Sequence, residues 1–261
     1  MDRLSMDQGA ARTAAELRLQ LAQVTAASQM LERTATDEAS RKYLAALEQG
    51  ICRMLRIVGR LELSQRLGGD KAPEIKRKPV DLALLVRELG ARLEELLAWA
   101  EVELTVTAPD FLLAQADEEL IRQLLMELVS NGAKAGSRVT LTLVRLEDRA
   151  VFTVEDNGDG VAPERLDYLF SSAEEAVPDW RRGGVGVAIA RRAAALHGGT
   201  LVADCVPGRG LRVVASIPLG VSEGVELRDP GVAWDPGGFS EELVALSDLL
   251  PARAFGPNLN R

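Results

Sequence analysis

Histidine, cysteine and aromatic side chains are scarce in this chain. Of its 261 residues one is histidine, His197, and two are cysteine, Cys52 and Cys205. A single imidazole rules out a multi-histidine metal site and makes a Ser/His/Asp triad very hard to build. Two cysteines without metal-type spacing rule out a disulfide framework, and both read as packed side chains. Aromatic residues make up 4%, too few for a base-stacking platform. Apolar stretches are broken by Arg, Glu or Gln well before the ~20 residues that cross a bilayer, and the N-terminus has no apolar signal core. Neither membrane association nor secretion is expected, and the expected location is cytoplasmic. Cations are not in excess either: 31 Lys and Arg stand against 39 Asp and Glu, a net charge of -8. Because the basic residues are spread along the chain, duplex nucleic acid is not an expected partner. A small anionic ligand is still compatible, since a local pocket can oppose the global sign.

What is present is a chain 47% hydrophobic and 27% charged, rich in Ala and Leu and long enough for about two domains. Residues 1–13 read as an N-terminal arm. In residues 14–67, Leu17, Leu21, Val24 and Leu31, then Leu44, Leu47, Ile51, Met54, Val58 and Leu61, recur at heptad spacing on either side of a polar break from Thr34 to Asp37. This predicts an antiparallel helical hairpin. A hairpin alone cannot cover both flanks of such a seam, so pairing of two copies as a four-helix bundle is expected.

Gly68 to Pro73 break the helix, and residues 68–75 read as a linker. A second domain spans 76–219. Asp81 and Asp117 are N-cap residues for two helices; strands are expected at Val102–Val106, Val139–Leu146, Ala150–Glu155, Thr200–Cys205 and Leu211–Ile217, with a helix after Gly186. Antiparallel hairpins in place of regular crossovers favour an α+β fold over a doubly wound sheet. Residues 220–261 form a Gly- and Pro-rich tail with a short amphipathic helix capped by Ser240, expected to dock on its own domain.

Three segments carry chemistry. Glu127 and Asn131 lie one helical turn apart, so a carboxamide oxygen for Mg²⁺ and a carboxylate that orients a water or hydroxyl share one face, with Lys134 within reach of a phosphate. Asp156, Asn157, Gly158, Asp159 and Gly160 end a strand; the glycines let a backbone approach a flat ligand, and the Asp156 carboxylate can accept from an exocyclic amine. Arg182, Gly183, Gly184, Val185 and Gly186 open a helix whose free N–H groups suit a phosphate. Each segment alone has a bland reading as a polar face, a surface turn or a flexible loop.

Taken together and in this order, followed by His197-Gly198-Gly199 and Gly208-Arg209-Gly210, they resemble the ATPase fold shared by histidine kinases, DNA gyrase and heat-shock chaperones, and most closely the bacterial sensor histidine kinases. The resemblance covers about residues 10 to 219 and includes Lys78-Pro79-Val80-Asp81-Leu82 at the start of the domain and Leu169-Phe170 before the lid. It implies an ATPase α/β sandwich binding ATP or ADP with Mg²⁺: Asp156 on adenine, Asn131 on the metal, Glu127 assisting phosphoryl transfer, and Gly158, Gly160, Gly184 and Gly186 admitting base and phosphates. A lid would span residues 171–183.

The chain departs from the family pattern in three places. Arg182 replaces the first glycine of the third box, and Leu211 replaces the usual Thr. In the hairpin, Ala15-Glu16-Leu17-Arg18-Leu19-Gln20-Leu21 aligns with the phosphoacceptor motif but puts alanine at the acceptor position. Alanine has no nucleophile, and His197, at the far end of a helix in the other domain, reads as structural. The resemblance thus implies a dimeric, degenerate member without its own acceptor. It would act by phosphotransfer to a response-regulator receiver domain or partner kinase, or as a pseudokinase scaffold binding such a receiver. A serine kinase of the anti-sigma-factor kind shares the ATPase boxes but usually lacks the long hairpin.

Overall fold

The computed structural model describes residues 3–68, 75–161, 185–205, 210–220 and 238–255. They fall into two compact units. One joins the first 66 residues to the tail from Gly231, and the other runs from Leu67 to Pro230.

In the first unit, helix α1 (Arg3–Glu32) and helix α2 (Glu38–Gly68) form the hairpin. Helix α1 begins at Arg3, inside the stretch expected to be an arm. The turn between the helices is fixed by Asp37, whose carboxylate accepts the Ser40 N–H at 2.8 Å and the Ser40 hydroxyl at 2.6 Å, an N-cap for α2. Arg18 pairs with Glu62 across the hairpin at 2.6 Å. The interior holds small and polar side chains along with apolar ones: Ala14, Leu21, Thr25 and Ser28 from α1, and Ile51, Leu55 and Val58 from α2. Only part of the heptad pattern therefore points inward within one chain. Leu17, Val24, Leu31, Leu47, Met54 and Leu61 stay between 39 and 55% exposed.

The tail covers a different face of this unit. Helix α6 (Glu241–Leu246) is capped by Ser240, whose hydroxyl accepts the Leu243 N–H at 3.1 Å. It buries Leu243, Val244 and Leu246, and the residues around it bury Phe239, Leu250 and Phe255. The carbonyls beyond its C-terminus are met by donors from α2: Gln49 Nε2 reaches the Leu250 carbonyl at 2.5 Å and Arg53 Nε the Ser247 carbonyl at 3.2 Å. Arg56, 5% exposed, pairs with Asp248 at 2.8 Å. Side chains one turn apart on α2 thus satisfy two carbonyls that follow a short helix and place positive charge at its negative end.

In the second unit, β1 (Lys78–Asp81) pairs antiparallel with β3 (Leu113–Ala116), and a five-stranded sheet runs in the order β2-β4-β5-β7-β6. Its strands are β2 (Glu103–Thr107), β4 (Arg138–Leu146), β5 (Arg149–Asp156), β6 (Thr200–Cys205) and β7 (Leu211–Pro218). All neighbours are antiparallel except β2 and β4, which are parallel. The fold is α+β. The ribbon of β1 and β3 was not among the expected strands: each is four residues long and has no period of its own to read. Helices α3 (Leu82–Ala98), α4 (Glu118–Ala135) and α5 (Val185–Leu196) pack on one face of the sheet against Val139, Leu141, Phe152, Val154, Val213 and Ala215, while the alternate residues look outward. Asp81 caps α3 by accepting from Ala83 at 3.0 Å and Leu84 at 3.3 Å.

Glu48 on α2 is 3% exposed, and its carboxyl is raised from 4.5 to about 7, first by burial and then by the facing Glu32. The same burial, with Glu48 nearby, pushes the Cys52 thiol up. A carboxyl raised on folding stabilises the folded unit fully below the unfolded value and ceases to do so as pH rises through the folded one. The first unit is therefore expected to weaken between pH 4.5 and 7. Glu48→Gln should flatten that dependence and add about 2 kcal/mol at pH 8, measured by urea unfolding at both ends of the range. A Glu48→Gln variant with the wild-type pH profile would contradict this.

Candidate functional site

Helix α4 is supported at both ends. At its N-terminus Asp117 uses Oδ1 to accept the Leu120 N–H at 3.2 Å and Oδ2 to accept the Lys76 N–H at 2.9 Å. The backbone N–H of Asp117 donates to Nε2 of His197 at 2.9 Å, and Nδ1 of His197 lies 2.7 Å from the Ala193 carbonyl. An N–H pointing at Nε2 needs a lone pair there, so the ring is the neutral Nδ1–H tautomer. Burial acts the same way: His197 is 2% exposed and its pKa is lowered, chiefly by desolvation. The only histidine in the chain is a structural pin, joining the end of α5 to the start of α4.

This pin fixes the direction of α5. Its C-terminal end lies at the N-terminus of α4, and the two helices pack along their lengths. The first residues of α5, Val185 and Gly186, therefore lie toward the last turns of α4, where Glu127, Asn131 and Lys134 are. Twelve residues of α5 span about 18 Å, comparable with the rise from Asp117 to Asn131. Glu127 is buried, Asn131 half-buried and Lys134 exposed.

The end of β5 meets the same turn of α4. Register pairs Val139 with Asp156, and alternation from Phe152 and Val154 turns Asp156 toward the helices. A Cβ placed on Gly132 would lie 3.3 Å from Val139 and 3.4 Å from the Asp156 Cβ, so a glycine next to Asn131 lets helix and strand end come this close. Beyond Asp156 the chain turns against α4 again. A Cβ on Gly158 would run into the Ala135 carbonyl, and Gly160 has a φ of 77°. Asn157 ties this turn to β4, its Oδ1 accepting the Arg138 N–H at 2.8 Å.

Sequence reasoning missed the other hold on Asp156. Its Oδ1 accepts the Gly158 N–H at 2.9 Å and the Leu211 N–H at 3.3 Å. Backbone donors have no side-chain signature, so only the position of Leu211 after a glycine box hinted at it. The structure thus gathers Asn131, Asp156, Gly158 and Gly160 at one end of α4, with Gly186 at the start of the helix packed beside it. Arg182, Gly184, the expected lid at residues 171–183, Leu169, Phe170, Gly208 and Arg209 lie outside the described residues. A cleft of about 350 Å³ is lined by Asp156 itself together with Thr140, Glu155, Asp204, Leu211 and Arg212. There Arg212 pairs with Glu155 at 2.7 Å.

Residues 116–221 match the family described as histidine kinase-, DNA gyrase B-, and HSP90-like ATPase. The second unit carries a histidine kinase-like ATPase domain. The wider chain is similar to sensor kinases. It is 28% identical over 222 residues to Sporulation kinase D of Bacillus subtilis, covering 82% of this chain and 42% of that protein. It is 26% identical over 232 residues to the sensor protein ChvG of Rhizobium meliloti, covering 81% of this chain and 40% of that one. Among solved structures, full-length ShkA in complex with AMPPNP is 27% identical, with a TM-score of 0.68 over 83% of this chain and 47% of that one. The chain therefore spans less than half the length of each of these proteins. In this chain a helical N-terminal region precedes the ATPase sandwich.

Among the described residues no group of three or more His, Cys, Asp or Glu could hold a metal ion, and no helix is long and apolar enough to cross a membrane. A divalent ion held through one carboxamide and a ligand's own phosphates needs no such cluster, and a half-buried Asn131 next to the Gly132 contact fits that role.

The state of His197 has a measurable consequence. A histidine whose pKa is lowered on folding destabilises the folded state as pH falls below its unfolded value, because the unfolded chain takes the proton first. The ATPase domain is therefore expected to lose stability between pH 7 and pH 5 through this group. His197→Gln should remove that component, as judged by thermal unfolding across the range; a dependence that survives the substitution would show that His197 is not its source.

Proposed function

We propose that this chain is an adenine-nucleotide-binding signalling protein of the two-component type that has no phosphoacceptor of its own and works on a partner. The observation that carries the proposal is the meeting of Asp156 with the Gly132 turn of α4, beside Asn131 and on the side where α5 begins. In this reading the Asp156 carboxylate accepts from the amine of adenine, Gly158 and Gly160 leave room for the base, and Gly186 with the N-terminal N–H groups of α5 faces the phosphates. Asn131 holds Mg²⁺ with Lys134 near the phosphates, and Glu127 orients the attacking group. The family resemblance assigns Arg182 and Gly184 to the phosphates as well. Bound ATP would supply the transferable phosphoryl group.

The partner reading comes from the hairpin. Ala15, at the acceptor position, is exposed, and a methyl group cannot take a phosphoryl group. The stripe of Leu17, Val24 and Leu31 with Leu47, Met54 and Leu61, spaced by seven on each helix and left open within one chain, supports association of two copies as a four-helix bundle. The surface then left on the bundle is available to a receiver domain of a response regulator or to a partner kinase. The exposed alanine equally favours a second reading, in which nucleotide only conditions the dimer and no phosphate moves.

Calorimetric titration of the full chain with ADP and Mg²⁺ is expected to show binding, and Asp156→Ala to weaken it by tenfold or more. Asn131→Ala should remove the Mg²⁺ dependence. With ATP labelled on the γ-phosphate, the chain alone should stay unlabelled while a cognate receiver or kinase gains label. Ala15→His separates the two readings: it acquires label if the ATPase domain transfers phosphate and stays dark if the domain only binds.

A further inference from the structure

Asp156 is held from β7 as well as from its own turn. We propose that the junction of β6 and β7, comprising Cys205, Gly210 and Leu211, is a positioning clamp that fixes the Asp156 carboxylate and sets its preference for a base bearing an amine. This rests on Asp156 being the base-reading group.

The carboxylate torsion of an aspartate is broad and roughly two-fold, so an unheld Asp156 would offer either oxygen in many directions. Here Oδ1 takes two backbone donors, from Gly158 at 2.9 Å and Leu211 at 3.3 Å. The plane of the group is thereby set, and Oδ2 is the oxygen left to meet a ligand. An ionised carboxylate only accepts. Held in one orientation it favours the amine edge of adenine and repels the carbonyl that guanine carries at the same place.

Leu211 reaches Asp156 because residue 210 is glycine. Gly210 has a φ of 89°, and a Cβ there would collide with the Asp156 carbonyl, lying 2.7 Å from its carbon. Gly210 is secured from its other side by Cys205, whose thiol donates to the Gly210 carbonyl at 3.4 Å and accepts the Val161 N–H at 3.0 Å. One sulfur therefore joins the end of the turn that begins at Asp156 to the start of the strand that donates back to it. The contacts close a ring: Asp156 to Gly158, along the chain to Val161, through Cys205 to Gly210, and from Leu211 to Asp156.

The test uses the full chain and compares ADP with GDP by calorimetry in the presence of Mg²⁺, together with amide exchange of Val161 in the ligand-free protein. Cys205→Ala should lower ADP affinity about tenfold and GDP affinity by less than about twofold, so that discrimination collapses. Cys205→Ser keeps a donor and an acceptor and should recover most of the loss. Gly210→Ala should lose at least as much discrimination as Cys205→Ala, and the Val161 amide should exchange faster in Cys205→Ala. Wild-type ADP affinity in Cys205→Ala, equal losses for ADP and GDP, or unchanged Val161 exchange would each overturn the clamp. A wild-type chain that binds no ADP removes the nucleotide reading and the specificity role together. Tight ADP binding with discrimination intact in the variants removes the clamp alone.

Discussion

The contact between α4 and the end of β5 is the constraint on which the ATPase domain depends. It is short because Gly132 has no side chain, and it brings the Asp156 Cβ to the helix surface one residue from Asn131. A larger residue at 132 would have to displace Val139 or Asp156, and in a close-packed interior that displacement is not free. About 22 Å away along the helix, the Asp117 N–H on His197 fixes the other end. With both ends determined, α4 cannot slide along the sheet, and α5, tied to it through His197, is set in direction as well. The functional side chains add little to this geometry; they are carried by it.

The sequence was most legible where the physics is local. Asp81, Asp117 and Ser240 announce helix starts because an N-cap is a contact between residues two or three apart, and all three cap helices in the structure. Strand alternation in β4, β5 and β7 shows on the page because one face is buried. What could not be read depends on partners far away in sequence. The β1–β3 ribbon, the parallel pairing of β2 with β4 and the hold of Leu211 on Asp156 are of this kind. The docking of the tail is another, since nothing near Leu250 foretells that Gln49, 201 residues earlier, will meet its carbonyl. The heptad repeat was visible, yet Thr25 and Ser28 enter the hairpin interior while Leu17 and Val24 stay outside. A repeat gives the faces of a helix; which face the partner helix covers is a tertiary matter.

Charge is the sharpest test of the proposed ligand. A chain of net charge -8 must hold a polyanion by local means. Among the described residues, the two arginines that line the cleft with Asp156 are already engaged: Arg138 lies 3.2 Å from Glu103, and Arg212 lies 2.7 Å from Glu155. On the helix side the resources among the described residues are the backbone N–H groups that open α5, Lys134 and, in the proposed reading, a divalent ion on Asn131. Backbone dipoles and a metal ion provide positive potential without a basic patch, so such a site can coexist with an acidic surface and carries none of the attraction to nucleic acid that a lysine cluster would bring.

The two units carry the resemblance to sensor kinases unequally: the family match lies at residues 116–221, within the second unit. In the ATPase domain the turn after Asp156 holds Gly158, where a Cβ would collide with the Ala135 carbonyl, and the helix that faces it holds Gly132, where a Cβ would be tight against Val139. In the hairpin Ala15 offers no nucleophile, while large apolar residues stand at half-exposed positions along both helices. Exposed leucines and methionines in such a stripe are an aggregation hazard to a lone molecule and are tolerable when another surface covers them. In the proposed reading, a hairpin with a contact stripe but no nucleophile, in the same chain as a fold with tight glycines, fits binding of a nucleotide and of a partner that supplies the acceptor.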